Sequence, residues 1–249
     1  MKISYLVTCS TEEDTLRSLM EHILTHKSNN DEIVPLIDLT NGMLSTGILN
    51  EEFKGIFDTS HISNVKIETG VEEFSYKNTG NYRVYGHDLD NDYGAHKNYG
   101  ISKCSGDWIM QLDGDEMLSE NLCGESLHML IESNPDVEAY AIPRINAFTG
   151  LKPHHATQWG WNLDISPKYN RLRVNWPDYQ FRLFKNEYPR IQFKRKLHEK
   201  IEGYRTYSIL PATEEYAIDH MKTIERQIQT NVTYNKLFSR EDNEGYKLS

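Results

Sequence analysis

The chain has 249 residues, 38% of them hydrophobic and 26% charged, with a net charge of −10 at pH 7. That length and balance suit a globular protein with a substantial core and exclude a disordered chain. The negative charge disfavours non-specific binding to nucleic acid or anionic membrane, and no apolar run approaches the roughly 20 residues that span a bilayer.

The first residues, Met1-Lys2-Ile3-Ser4-Tyr5, lack the apolar core and cleavage site of a signal peptide, so a cytoplasmic location is expected. Ile3 to Cys9 is β-rich and apolar and predicts a strand at the extreme N-terminus. Ser10 or Thr11 then caps a helix with Glu12, Glu13 and Asp14 in its first turn, where the helix dipole favours anions. Leu16, Leu19, Met20, Ile23 and Leu24 form its buried face. Ile33 to Asp38 predicts a second strand, followed by the turn-forming pair Asn41-Gly42, and Val65-Lys66-Ile67 a weaker third. This alternation of strand and helix implies a parallel, doubly wound sheet.

Glu72 to Asp92 is polar and aperiodic and reads as a long loop. Asp92 caps a helix carrying Ala95, Tyr99 and Ser102, with Gly106 as the glycine that ends it. Trp108 to Leu112 is a short apolar run expected to be a buried strand, and it runs into Asp113-Gly114-Asp115-Glu116. Ser119 caps a further helix with Leu122, Leu127, Leu130 and Ile131 inside. After Pro135 the pattern becomes irregular, with strands at Ala139–Pro143, Tyr179–Phe184 and Tyr216–Asp219. A loop from His154 to Pro177 carries Trp159, Trp161, Tyr169 and Trp176, either as core packing or as a surface on which sugars stack. The last helix, Thr223 to Phe238, is amphipathic through Ile224, Ile228, Val232 and Leu237. Cys9, Cys104 and Cys123 are widely spaced and fit buried free thiols better than a disulfide or zinc framework. No linker or repeat divides the chain. It reads as one domain over 1–249, with a nucleotide-sugar-binding half (1–118) and an acceptor-side half (119–249).

Three carboxylates at the C-terminal end of a buried strand repel one another and call for a compensating cation. Residues i and i+2 leaving a strand can turn to one ligand, and Gly114 leaves room for it to approach. Oxygen donors of this kind suit Mg²⁺ or Mn²⁺.

Lys97-Asn98-Tyr99-Gly100-Ile101, Gly106-Asp107-Trp108-Ile109 and Leu112-Asp113-Gly114-Asp115-Glu116, in that order, resemble the glycosyltransferases of family 2, which have the GT-A fold. A second block, Arg182-Leu183-Phe184-Lys185-Asn186, Leu197-His198-Glu199 and Ile218-Asp219-His220, is similar to the branch containing lipopolysaccharide-core glucosyltransferases. The resemblance implies an α/β GT-A fold: a Rossmann-like, mostly parallel sheet flanked by helices, with an irregular acceptor-side half. It also implies metal-dependent, inverting transfer of a sugar from a nucleotide diphosphate donor, with UDP as the expected nucleotide. Thr8, Ser10, Asp38, Lys97, Asn98, Asp113 and Gly114 would hold the nucleotide-sugar, and Asp113, Asp115 and His198 the metal. Asp178 is the first choice for the general base, with Glu199 and Glu116 as runners-up. The acceptor stays open among a glycan, a lipid-linked sugar and a modified nucleic acid. Two alternatives are a noncatalytic nucleotide-sugar or carbohydrate-binding module and a phosphatase of the haloacid dehalogenase type. The latter also places Asp-x-Asp after an apolar strand, but Met117 fills its usual Thr or Val slot.

Overall fold

The computed structural model describes residues 1–51, 53, 56, 57, 84–166 and 170–239. Strand β1 (Ile3–Cys9) sits at the centre because both its faces are apolar: Ile3, Tyr5, Val7 and Cys9 enter one core and Leu6 the other. Helix α1 (Asp14–His26) buries Leu16, Leu19, Met20 and Ile23 against the first core. It begins later than Ser10 or Thr11 would place it, because Glu12 turns back to accept the Ser10 backbone N–H at 2.5 Å. Strand β2 (Glu32–Asp38) lies parallel to β1, and helix α2 (Met43–Glu51) follows. Strand β3 (Tyr85–His87) extends the parallel set inside the stretch read as loop, while Val65–Ile67 lies outside the described residues.

Helix α3 (Tyr93–Lys103) packs on the opposite face and is capped by Asp92, whose side chain accepts the Ala95 N–H at 2.8 Å. It ends at Cys104 in extended conformation, so Gly106 is not its closing glycine. Gly106 instead enters the next strand where a Cβ would lie 2.7 Å from the Ser4 nitrogen. Gly100 lets α3 settle on the sheet, since a Cβ there would lie 2.7 Å from Leu6 Cδ1.

Strand β4 (Trp108–Asp113) is parallel to β1 on its other side and ends in the acidic cluster; β5 (Glu116–Leu118) follows immediately. Ser119 makes no helix cap, because its hydroxyl donates to the Glu215 carbonyl at 2.6 Å. A 3₁₀ turn, Glu120–Leu122, precedes helix α4 (Gly124–Glu132), which buries Leu127 and Ile131. Strand β6 (Ala139–Thr149), helix α5 (Pro153–Trp159), strand β7 (Leu163–Ile165) and the long strand β8 (Leu172–Lys185) come next. The tryptophan-rich stretch is therefore mostly ordered secondary structure rather than loop. Strands β9 (Gln192–Lys194) and β10 (Lys200–Glu202) form a separate hairpin against α3; β11 (Tyr207–Ile209), β12 (Ile218–Thr223) and helix α6 (Ile224–Leu237) complete the chain.

The large sheet has the order β3-β2-β1-β4-β8-β6-β12-β5, with β11 on β6 and β7 on β8. Its first half is parallel; β8 runs antiparallel between β4 and β6, and β12 returns parallel to β6. The result is an α/β fold with a mostly parallel sheet between helices. Only Ile224 of α6 is buried, and the rest of the apolar stripe of that amphipathic helix is exposed: Ile228, Val232 and Leu237 are 42%, 63% and 50% exposed. The helix is held instead by Arg226, 2.7 Å from Glu12, and by Tyr234, edge-on to Tyr93 and His198.

Candidate active site at the carboxyl ends of the parallel strands

In open α/β sheets, ligands bind beyond the carboxyl ends of the strands. Here β1, β2 and β4 end in Thr8 to Ser10, Asp38 and Asp113, with Thr8 in register with Asp113. Asp38 is buried and gathers the surrounding loops, accepting from the Thr40 N–H at 3.0 Å, Asn41 Nδ2 at 3.1 Å, Ser10 Oγ at 3.3 Å and the Leu89 N–H at 3.4 Å.

Asp113 is held from every side. Thr8 Oγ1 donates to it at 2.8 Å and Gln111 Nε2 at 3.1 Å; Lys97 Nζ lies at 2.9 Å and Arg182 at 2.8 Å. Burial by itself raises a carboxyl pKa, but the Arg182 and Lys97 charges reverse this and hold Asp113 well below the usual range. Lys97 also meets Glu199 at 2.6 Å, and Arg182 meets Glu116 at 2.6 Å. Arg144 then joins Glu116 at 3.1 Å to Asp178 at 2.7 Å. The result is one chain of alternating charge, Glu199–Lys97–Asp113–Arg182–Glu116–Arg144–Asp178. Arg182 reaches its place through a β-bulge: Tyr140 pairs with Leu183 and Ala141 with Phe181, leaving Arg182 as the extra residue.

Asp115 stands apart from that chain. Its carboxylate lies 3.5 Å from His220 Nε2 and 3.6 Å from Lys222 Nζ. Burial opposes ionisation, but the Lys222 charge depresses its pKa far below the normal value. His220 is pushed the other way, toward the neutral form, by burial and by Lys222. Asn146 settles its tautomer. The Asn146 amide nitrogen donates to Asp178 Oδ2 at 2.9 Å, so its oxygen must accept from His220 Nδ1 at 2.8 Å. A neutral His220 thus presents the lone pair of Nε2 to the Asp115 carboxylate. Two acceptors facing one another are stable only with a cation between or beside them.

Several residues stand elsewhere than their expected roles require. His198 adopts a left-handed backbone (φ 53°) and packs edge-on to Tyr234, so Asp113, Asp115 and His198 are not gathered as one ligand set. Among the described residues no group of three or more His, Cys, Asp or Glu is arranged around a metal position. Asn98 uses both ends of its amide on the backbone of Phe193, at 2.9 and 2.8 Å, tying α3 to β9 rather than facing a ligand. The space beside Gly114 is taken by the chain itself: a Cβ would lie 3.2 Å from Glu12 Cγ and 3.3 Å from the Thr8 carbonyl oxygen. Glu116, one of the two runner-up bases, has a side chain with 0% exposure. Sequence reasoning missed Arg144, Asn146, Arg182 and Lys222 as site residues and left His220 without a role. The only local signal was the position of Arg182 and His220 inside the second motif block.

The sequence model of glycosyltransferase family 2 matches residues 67–244. The chain belongs to glycosyltransferase family 2. This sets aside the phosphatase reading. Crystal structures of S. aureus TarS share the fold of this glycosyltransferase. TarS 1-349 in complex with UDP-GlcNAc superposes with a TM-score of 0.55 at 12% identity, covering 89% of this chain and 59% of that one. Its complex with UDP gives 0.53 at 13% identity, covering 89% and 60%. Full TarS gives 0.53 at 13%, covering 93% and 38%, so the glycosyltransferase spans less than two thirds of these relatives. No curated protein matches it by sequence. No described helix of the glycosyltransferase is long and apolar enough to cross a membrane.

Proposed function

We propose that this glycosyltransferase inverts the anomeric centre as it moves a sugar from a UDP-sugar to an acceptor hydroxyl, and that it stands nearest the lipopolysaccharide-core glucosyltransferase-like branch. The observation that carries this reading is the bridge Asp115–His220–Asn146–Asp178, which ties a donor-side carboxylate to an acceptor-side carboxylate. Inverting transfer needs both groups: one to manage the leaving diphosphate and one to take the proton of the attacking hydroxyl. The UDP-GlcNAc and UDP complexes of TarS support a uridine nucleotide as donor.

Asp178 is the general base in this scheme. Arg144, Asn146 and Gln180 fix both of its oxygens, at 2.7, 2.9 and 2.8 Å. Burial raises its pKa, but Arg144 and these hydrogen bonds bring the net value below the usual one, so it is ionised and oriented at neutral pH. Glu199 is committed to Lys97. Asp38, with Thr8 and Ser10, lies where the nucleoside would sit, at the ends of β2 and β1.

The donor set at Asp115 and His220 fits a divalent ion, because it pairs a depressed carboxylate with a neutral imidazole whose Nε2 carries no proton. These two residues, rather than Asp113 and His198, would hold Mn²⁺ or Mg²⁺, which commonly completes its shell with phosphate oxygens and water. When bound, the ion would neutralise charge developing on the diphosphate. Lys222 stands at the same place, 3.6 Å from Asp115, and Asp113 serves to anchor Lys97 and Arg182.

The test is a panel of nucleotide-sugars followed by UDP release, with Mn²⁺ and then with EDTA. UDP-sugars should be turned over in Mn²⁺, and EDTA should suppress turnover. Equal turnover of GDP- or CMP-sugars, or indifference to EDTA, overturns the corresponding half of the proposal.

A further inference from the structure

Beyond the reaction centre the structure holds a run of aromatic rings that the mechanism does not use. Phe148 stacks on Trp161 (centroids 4.8 Å apart, 26° between planes), and Trp161 lies against Trp159 at 4.7 Å. Trp159 stacks on His155 (5.5 Å, 13°), and His155 meets His154 at 4.0 Å. None of the five is buried, although rings of this size ordinarily enter a core.

The run starts at the reaction centre. On β6, Arg144, Asn146 and Phe148 share one face, because side chains alternate along a strand. Asn146 is in register with His220 on β12, and Phe148 with Lys222. Phe148 is therefore one pleat, roughly 7 Å, beyond the residue that holds Asp178. The ladder then leads outward over α5.

The chemistry of the surface selects its ligand. The neighbouring guanidinium groups are already spent: Arg171 on Asp219, and Arg173 on Asp164 and on Glu214, with Arg173 also lying over the Trp176 ring at 4.6 Å. A polyanion needs cations to replace its counterions, and a chain of net charge −10 with its nearby arginines paired offers few. An uncharged sugar ring needs none. Its face of C–H bonds is weakly positive and sits on the negative face of an aromatic ring.

We propose that Phe148, Trp161, Trp159 and His155 form the acceptor platform, and that the acceptor presents an uncharged saccharide there. This rests on the reading of Asp178 as the centre of transfer. The test uses the full chain and intrinsic tryptophan emission, titrated with maltotetraose, cellotetraose and chitotetraose and, separately, with a DNA duplex containing 5-hydroxymethylcytosine. At least one oligosaccharide should shift the emission. Trp159→Ala and Trp161→Ala should each weaken that binding about tenfold, and Trp161→Phe should retain it. A UDP-induced rise in Tm, measured on the same variants, reports the donor side independently. If no oligosaccharide shifts the emission, if the shift survives both alanine variants, or if only the duplex binds, the platform assignment is wrong. If sugars bind but UDP raises Tm in none of the proteins, the platform stands and the donor-site reading fails.

Discussion

Asn146 donates its side-chain amide to Asp178 Oδ2 at 2.9 Å, and the same side chain accepts from His220 Nδ1 at 2.8 Å. One residue therefore orients the base and sets the tautomer of the imidazole that faces Asp115. Replacing it by Ala should let His220 rotate and exchange tautomers. The expected result is a 10- to 100-fold weaker apparent affinity for Mn²⁺, in the range seen when groups supporting metal ligands are removed. A Mn²⁺ titration of UDP release reads this directly, and an unchanged titration would detach Asn146 from the donor side.

Asp178→Asn removes the proton acceptor while keeping the shape and the contact to Asn146. Transfer should fall by about 10²–10⁴-fold, the usual weight of general base catalysis. The UDP-induced Tm rise should persist. Glu199→Gln should act differently: it frees Lys97, 2.6 Å away, and should weaken donor binding more than turnover. Near-normal transfer by the Asp178 variant moves the base elsewhere.

Arg182 is buried between Asp113 and Glu116. Arg182→Met leaves the fully buried Glu116 and the partly exposed Asp113 each short of a partner, a change that costs about 3–5 kcal/mol. For a protein of this size that corresponds to a fall in Tm of roughly 6–20 °C. Calorimetry with Arg182→Lys alongside separates charge from packing, since Lys restores the charge without the fork that spans both acids. A Met variant as stable as the native chain would show the network to be energetically neutral.

His96 is buried beside His87, with Nδ1 atoms 3.2 Å apart. Burial, followed by the His87 charge, pushes its pKa down to about 4 from 6.5. Below pH 6.5 the unfolded chain takes up a proton here that the folded chain refuses. Stability is therefore lost as pH falls from about 6.5 to about 4, by roughly 3 kcal/mol. Urea unfolding at pH 7 and pH 4.5 should show this loss shrinking by about 2–3 kcal/mol in His96→Gln. An identical pH slope in the variant would rule His96 out as the source.

Two helical glycines should respond oppositely to alanine. At Gly47 of α2 no atom of the described residues lies within 4 Å of an added Cβ, so the gain in helix propensity should stabilise by about 0.5–1 kcal/mol. At Gly94 of α3 the Cβ would sit 2.3 Å from the Arg195 carbonyl oxygen, a backbone atom that cannot swing away. There the clash exceeds the propensity gain, and the loss should be about 1–3 kcal/mol. Equal effects at the two positions, measured by urea midpoints, would deny the close approach of α3 to the chain before Lys196.

The local pattern of the chain determined the elements that depend on local physics. The apolar runs at Ile3 to Cys9 and Trp108 to Leu112 could satisfy their side chains only as buried strands, and Asp92 could cap only a helix beginning beside it. The ordered motifs around Lys97, Asp113 and His198 carried the family. Local pattern did not determine who neutralises whom. Arg182 meets Asp113 across 69 residues, and it does so because a bulge in β8 turns it inward. His220 faces Asp115 because β12 closes the sheet between β6 and β5. Charge pairing is decided by distances of a few ångströms, and those distances are set by sheet order and register, which periodicity does not encode. The same holds for α6, whose helical spacing of Ile228, Val232 and Leu237 was visible in the sequence. Whether that face found a partner was a tertiary matter.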